Sequence, residues 1–303
     1  MDGREGILVT GATGHLGSFL IEGLASIKHT PVCRRNGTGR SDIRCFIRKT
    51  SKTKIIEQHN VQLIVGDLEQ RDSLYPAMEG MDCLIHLAGM QFYKNVLDVG
   101  IVSEVRRIIL IGSAHSYSKA DKAKARMLLE ANETISKYSK RYGLQTTVFQ
   151  PTMIYGSSRD RNISKIINAI RKYHILPVFG DGKCLRQPVY VRDVVSAIIA
   201  SIDCPESFGK IYDLGGRVPL SYNEMVQIIA KELQTSLRLV HVPIGIALGL
   251  LKVCKPLSKL LTKEPILRFA EDRVVNIQPA IKDLNYQPSS FEEGVKLQIK
   301  LSN

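Results

Sequence analysis

A short apolar run, GILVT (6–10), passes directly into TGATGHLG (10–17) and then into a helical pattern that continues to about Ile27. Few local patterns restrict a chain more. Gly11, Gly14 and Gly17 have the spacing G-x-x-G-x-x-G. The first glycine allows a tight turn, the second lets a pyrophosphate approach the main chain, and the third lets helix and strand pack closely. A helix that opens there offers free N–H groups and its positive dipole end to phosphate. A glycine triplet alone is weak. Set between a strand and a helix, it points to dinucleotide binding. Gly11, Thr13, Gly14, His15, Leu16 and Gly17 are therefore candidate cofactor residues.

The rest of the first half repeats the strand–helix rhythm. RCFIR (44–48), VQLIVGD (61–67), CLIHLAG (83–89), RRIILIGS (106–113) and TTVFQP (146–151) read as strands, most of them separated by helical segments. Near-continuous apolar strands alternating with helices predict a parallel sheet covered on both faces. The expected fold is α/β: a Rossmann-type doubly wound sheet with a small C-terminal α/β substrate lobe. Residues 1–160 are assigned mainly to the dinucleotide-binding part, with a Gly-, Arg- and Ser-rich insertion at about 29–43. Residues 161–303 form a mixed region that contributes a late sheet strand and the substrate lobe. Within it NISKIINAIRK (162–172), RDVVSAIIASI (192–202) and SYNEMVQIIAKEL (221–233) read as helices, the last with Ser221 and Glu224 as a capping box. Asp193 reads as the N-cap of the second.

The 303-residue chain carries a formal charge of +13, and the excess is local. Between Lys28 and Lys54 nine basic residues face one acid, Asp42. Such a cluster favours an anionic partner, or else is a solvated loop. It has no aromatic interleaving and no DNA-binding motif, so nucleic acid is not an expected partner. The six cysteines show no C-x-x-C pair and no zinc-ligand spacing, so no metal is expected and the thiols read as reduced, as in a cytoplasmic protein. No apolar leader precedes the first strand. The segment 242–261 has ten uninterrupted apolar residues, Val242–Leu251, against the about 20 a membrane span requires. It reads as an amphipathic helix on the body or as an interfacial one, which leaves room for peripheral membrane contact. A homodimer is also compatible with the sequence.

TGATGHLG, GDLEQRDSL (66–74), IHLAG (85–89), PTMIYG (151–156) and RQPVYVRDV (186–194), in that order, resemble the short-chain dehydrogenase/reductase superfamily, in its extended and atypical branches of NAD(P)-dependent epimerases and dehydratases. DLNYQPSSFEEGV (283–295) is similar to that family's C-terminal ending. The resemblance implies roles by position. Asp67 and Leu68 would border the adenine. Leu87, Ala88 and Gly89 would pass the cofactor ribose and pyrophosphate. Pro151, Thr152 and Met153 would lie near the nicotinamide, and Tyr155 and Arg186 on the substrate side, Arg186 against a substrate diphosphate.

An acidic residue at the end of the second strand selects NAD, whereas an arginine suits the 2′-phosphate of NADP. With RCFIR as that strand its end carries Arg48, and NADP is expected, with NAD as the alternative. With TPVC (30–33) instead, Arg34 and Arg35 would take the role.

The family's proton chemistry uses a tyrosine, a lysine four residues later on the same helix face, and a serine from the preceding strand end. The lysine charge brings the phenol's pKa, ordinarily near 10, down towards neutrality. Ser113 fits the serine position. Tyr117 is followed four residues later by Asp121, not lysine. Either Tyr117 works with Lys122 or Lys124 in a rearranged site, or the usual base is missing. The catalytic candidates are Ser113, Tyr117 and Lys124. The expected function is an NAD(P)-dependent oxidoreductase or isomerase acting on a small molecule, a nucleotide-sugar or similar hydroxyl or carbonyl compound. The alternative is a non-catalytic NADPH-binding regulator or accessory subunit.

Overall fold

The computed structural model describes residues 6–27, 43–253 and 263–301. The basic insertion lies almost wholly outside the described residues, as do TPVC (30–33) and residues 254–262.

Strands β1 Gly6–Thr10, β2 Ile43–Ile47, β3 Gln62–Val65, β4 Met81–His86, β5 Arg107–Ile111 and β6 Gln145–Pro151 follow the expected apolar runs. After them come β7 Ile154–Tyr155, β8 Ile175–Phe179, β9 Leu185–Arg186, β10 Val189–Tyr190, β11 Lys210–Leu214, β12 Leu220–Ser221 and β13 Arg238–Val242. The main sheet has the order β11-β6-β5-β4-β1-β2-β3, and every pair in it is parallel. The late strand β11 thus returns to the edge of the first-half sheet. The order reverses between β1 and β4, and a crevice opens at the carboxyl ends of strands at such a point.

The helices are α1 His15–Ser26, α2 Lys54–Glu57, α3 Tyr75–Met78, α4 Tyr93–Val102, α5 Lys122–Tyr142, α6 Ile163–Tyr173, α7 Val191–Ser201, α8 Tyr222–Glu232, α9 Ile244–Val253, α10 Lys263–Leu267, α11 Gln278–Leu284 and α12 Phe291–Leu301. Strand side chains alternate between two cores, as the period of a strand dictates. Ile7, Val9, Cys83, Ile85, Ile109 and Phe149 pack on the face that carries α1 and α7. Leu8, Leu84, Ile108, Leu110 and Val148 pack on the face of α4 and α5. This is the Rossmann arrangement. Strands β8 and β13 pair with each other outside the main sheet, beneath α6.

Local chemistry decides several ends. Ser221 and Glu224 form the expected capping box of α8. Asp193 corrects an expectation: the N-cap of α7 is Tyr190, and Asp193 sits within the first turn. Its carboxylate accepts from Ser289 N (2.8 Å) and Ser289 Oγ (3.0 Å), which ties the C-terminal segment to α7. Among the described residues no helix is long and apolar enough to cross a membrane.

Candidate functional site

The glycine turn closes with Gly14 N donating to Gly11 O at 2.9 Å, and α1 starts at His15. Gly11 has φ +72°, and a Cβ there would lie 2.9 Å from Ala88 N. A Cβ on Gly17 would lie 2.2 Å from Gly11 O. The turn therefore keeps two side chains' worth of space out of its own backbone and out of the 87–89 segment. A pyrophosphate needs this kind of approach to the main chain. Gly14, the N-cap of α1, caps no N–H with a side chain, and the first turn of α1 carries no acid. Its positive pole is thus left for an anion. His15 Nε2 is a buried nitrogen without a hydrogen-bond partner at the same place. The residues present fit a dinucleotide.

His86 holds the turn and the 87–89 segment together. Its ring, at the end of β4, is fully buried between Thr10 and Gly89. Nε2 lies 2.9 Å from Gly89 O and Nδ1 lies 2.8 Å from Thr10 Oγ1. A carbonyl only accepts, so Nε2 carries the proton and Nδ1 accepts from the threonine hydroxyl. Burial pushes the imidazole down to about 4, against the opposing pull of the Gly89 carbonyl, so the ring is neutral at physiological pH. Leu87 N adds a bond to Thr10 O (3.1 Å). The sequence offered no signal for this role beyond the histidine in IHLAG.

The other expected cofactor residues lie along the same carboxyl edge. Thr10 pairs level with Phe46, and Arg48 follows the end of β2 with its side chain exposed. Asp67 and Leu68 follow β3. Asp67 Oδ1 accepts from Glu69 N (3.0 Å), and Leu68 O accepts from Asn95 Nδ2 (2.8 Å). Pro151 ends β6 and Thr152–Met153 follow it, three strands from β1 or roughly 14 Å at ordinary strand spacing. Thr152 N is held by Leu214 O (2.8 Å), and its hydroxyl donates to Gln187 O. Across this edge the ends of β3, β1, β4 and β6 set Asp67–Leu68, the glycine turn, the 87–89 segment and Pro151–Met153 in that order.

The catalytic candidates are not brought together. Ser113 Oγ accepts from His115 N at 3.2 Å, which leaves its own proton to donate. Tyr117 Oη donates to Asp213 (3.1 and 3.2 Å) and accepts from Gln150 Nε2 (3.2 Å). Burial, with the Asp213 charge behind it, raises the phenol above its ordinary value. A base needs the opposite. Tyr117 and Asp213 form one end of an open groove of about 580 Å³ that runs along α5 and also takes in Leu129, Lys137 and Lys140. Lys124 lies in the first turn of α5 with its side chain exposed, and its charge falls on His115 rather than on Tyr117. The expected use of Tyr117 with Lys124 is corrected on this geometry.

Two substrate-side expectations are corrected as well. Tyr155 is fully buried, its ring packed on Tyr190 and Phe291, and takes no part in a surface cleft. Arg186 is 9% exposed and donates to the carbonyls of Leu185 (2.9 Å), Glu271 (2.7 Å) and Arg268 (2.6 Å). It is a brace for the 268–271 segment. That segment brings other charges to the loop after β5. Glu271 accepts from Ser118 Oγ and from the backbone N–H groups of Lys119 and Ala120. Arg273 approaches His115 Nδ1 (3.3 Å), and His115 Nε2 lies 3.3 Å from Asp121. A guanidinium only donates, so His115 is neutral with its proton on Nε2. Burial and then the charges of Arg273, Lys124 and Arg268 hold its pKa below the usual value. Cations thus gather around His115, two residues after Ser113, and only their long-range contacts reveal it.

A doubly wound parallel sheet with this turn at its switch point defines a dinucleotide-binding protein of the Rossmann class. Two family models match the chain: the NAD dependent epimerase/dehydratase family over residues 90–215 and the 3-beta hydroxysteroid dehydrogenase/isomerase family over residues 8–108. Together the two matches span residues 8–215, and both are to families of NAD-dependent or dehydrogenase enzymes.

Among curated proteins the chain is similar to the mitochondrial NADH dehydrogenase [ubiquinone] 1 alpha subcomplex subunit 9 of Arabidopsis thaliana. The two are 26% identical over 80% of this chain and 62% of that one. It thus spans about three fifths of that relative's length. It is also similar to eugenol synthase 1 of Petunia hybrida, at 25% identity over 79% of this chain and 78% of the relative. Of solved structures, UDP-glucuronic acid 4-epimerase from Bacillus cereus, in complex with UDP-glucuronic acid and NAD, shares the fold. Its TM-score is 0.73 with 18% identity, over 97% of this chain and 98% of that one.

Proposed function

We propose that this protein is an NADP-preferring oxidoreductase or isomerase of the epimerase/dehydratase type, acting on an anionic hydroxyl or carbonyl compound such as a nucleotide-sugar. The observation that carries the reading is the backbone cradle of Gly11, Gly17 and the 87–89 segment, locked from beneath by His86. When bound, the nicotinamide supplies or takes up hydride. Gly11–Gly17 hold the pyrophosphate, Asp67 and Leu68 flank the adenine, and Pro151–Met153 flank the nicotinamide. Ser113, with a free hydroxyl proton, orients the substrate oxygen. The cations around His115, two residues further on, Arg273, Arg268 and Lys124, favour a negatively charged substrate. The reduced thiols of Cys45, Cys184 and Cys204 suit a reducing compartment such as the cytoplasm.

The test is calorimetric titration with NADPH and NADH, followed by incubation with a nucleotide-sugar panel and chromatography of the products. Arg48 sets the preference between the two nucleotides. Arg48→Ala is expected to weaken NADPH about tenfold and to leave NADH unchanged, because only the 2′-phosphate loses a charge-assisted donor. A wild-type affinity for NADH equal to that for NADPH would sink the preference.

A second reading, a non-catalytic NADPH-binding accessory subunit, is favoured by Tyr117, whose hydroxyl faces a carboxylate instead of a lysine. The resemblance to a subunit of NADH dehydrogenase points the same way. Dinucleotide binding without conversion of any panel member supports it. Under the catalytic reading Tyr117→Phe is expected to leave kcat within about twofold, since the phenol is not the base. A loss of a hundredfold or more would return Tyr117 to the mechanism.

A further inference from the structure

We infer that Arg159 is a second ligand of the dinucleotide's diphosphate, brought to the glycine turn from the substrate side of the molecule; this rests on the dinucleotide reading of that turn. Arg159 follows β7 in a turn that no glycine motif predicts. One guanidinium nitrogen donates to Ser18 Oγ at 3.1 Å and the other to Thr13 O. Both acceptors are neutral, both belong to the glycine turn and the first turn of α1, and the residue itself is exposed at the mouth of the site.

A guanidinium in this position lies against the wrong end of a helix. The N-terminus of α1 is already a positive pole, with no side-chain cap and no acid in its first turn. A permanent cation there is repelled by the aligned N–H dipoles. His15 shares the place and is kept from charging first by its burial, while Asp160 pulls its pKa up and Arg159 pushes it down. Two features therefore seek one anion: an uncapped helix start and a guanidinium on neutral acceptors. A diphosphate seated on the N–H groups of the turn satisfies both. It also offers the guanidinium two charged oxygens in place of a hydroxyl and a carbonyl.

The turn is built to hold Arg159 in reach. Its neighbour Asp160 is 6% exposed and faces inward. That carboxylate accepts from Asn162 N (2.9 Å), Ser164 N (3.0 Å) and the Gln298 side chain. Gln298, on α12, also donates to Ser157 O at 3.0 Å. The only acid next to Arg159 in sequence on that side is thus committed to bracing the turn. Because Thr13 and Ser18 belong to the turn and Arg48 lies beyond β2, Arg159 reads the diphosphate common to both nucleotides and not the 2′-phosphate.

The experiment titrates NADPH and NADH into the full-length wild type, Arg159→Ala and Arg159→Lys at low and moderate salt, with thermal unfolding of each protein alone. Arg159→Ala is expected to weaken both nucleotides equally, by about tenfold to a hundredfold, with a shallower salt dependence. Arg159→Lys should recover part of the loss, and the melting temperature without nucleotide should move by less than about 2 °C. Equal affinities of wild type and Arg159→Ala, or a loss confined to NADPH, overturn the assignment while leaving the dinucleotide reading intact. A wild type that binds neither nucleotide overturns both.

Discussion

Gly17→Val is expected to abolish dinucleotide binding, with at least a hundredfold loss for NADPH and NADH alike. The side chain would begin 2.2 Å from Gly11 O and 2.7 Å from the Ala12 backbone, and none of these atoms can swing aside. The bond from Gly14 N to Gly11 O would have to open, and α1 would shift away from β1. The cradle would be lost along with the close helix–strand contact. Because α1 packs on the core that also holds α7, stability should fall by about 3 kcal/mol or more, as for other overpacked cores. Titration and urea unfolding measure the two effects. A variant that binds NADPH within tenfold of wild type would show that the turn is not where the phosphates sit.

Arg107→Met should give the largest loss of stability without touching any phosphate. Arg107 opens β5 and is 3% exposed. It donates to Gln145 O (2.7 Å), Ser201 O (2.7 Å), Ile202 O (3.2 Å), Thr147 Oγ1 (2.8 Å) and Ser207 Oγ (3.0 Å), with its guanidinium over the Phe208 ring. These partners come from β6, the end of α7 and the approach to β11, so one side chain joins three elements, of which β6 ends in Pro151. Methionine fills much of the volume but leaves several buried carbonyls unpaired, each at about 1–3 kcal/mol. A combined loss of about 4 kcal/mol is expected from the shift in denaturant midpoint. A loss below about 1 kcal/mol would mean that water replaces the guanidinium at little cost.

Much of the cofactor edge was legible in the sequence because its signals are local. Apolar runs mark β1 to β6, the glycine spacing marks the turn, and the Ser221–Glu224 box marks the start of α8. Each depends on residues a few positions apart. The substrate side was read less well for the opposite reason. Arg186 had the right residue type for a diphosphate, but its donors go to carbonyls 82 and 85 residues away. Tyr155 stood in a motif beside the cofactor residues, yet its hydroxyl meets Phe291 O, 136 residues on. Tyr117 lacked its lysine in the sequence, and only the fold showed that an aspartate 96 residues later replaces it.

The sequence by itself determined that a strand, a glycine turn and an uncapped helix start would follow one another, since φ angles, close approach and helix polarity are properties of consecutive residues. It also determined the parallel sheet, since apolar strands alternating with helices have few other ways to be buried. The tertiary structure alone decided which charges meet: His86 under the turn, Asp213 on Tyr117, Arg273 on His115 and Arg159 over Thr13. Such pairings depend on how distant segments dock, and electrostatic and hydrogen-bond partners are set by distance in space, which no spacing along the chain records.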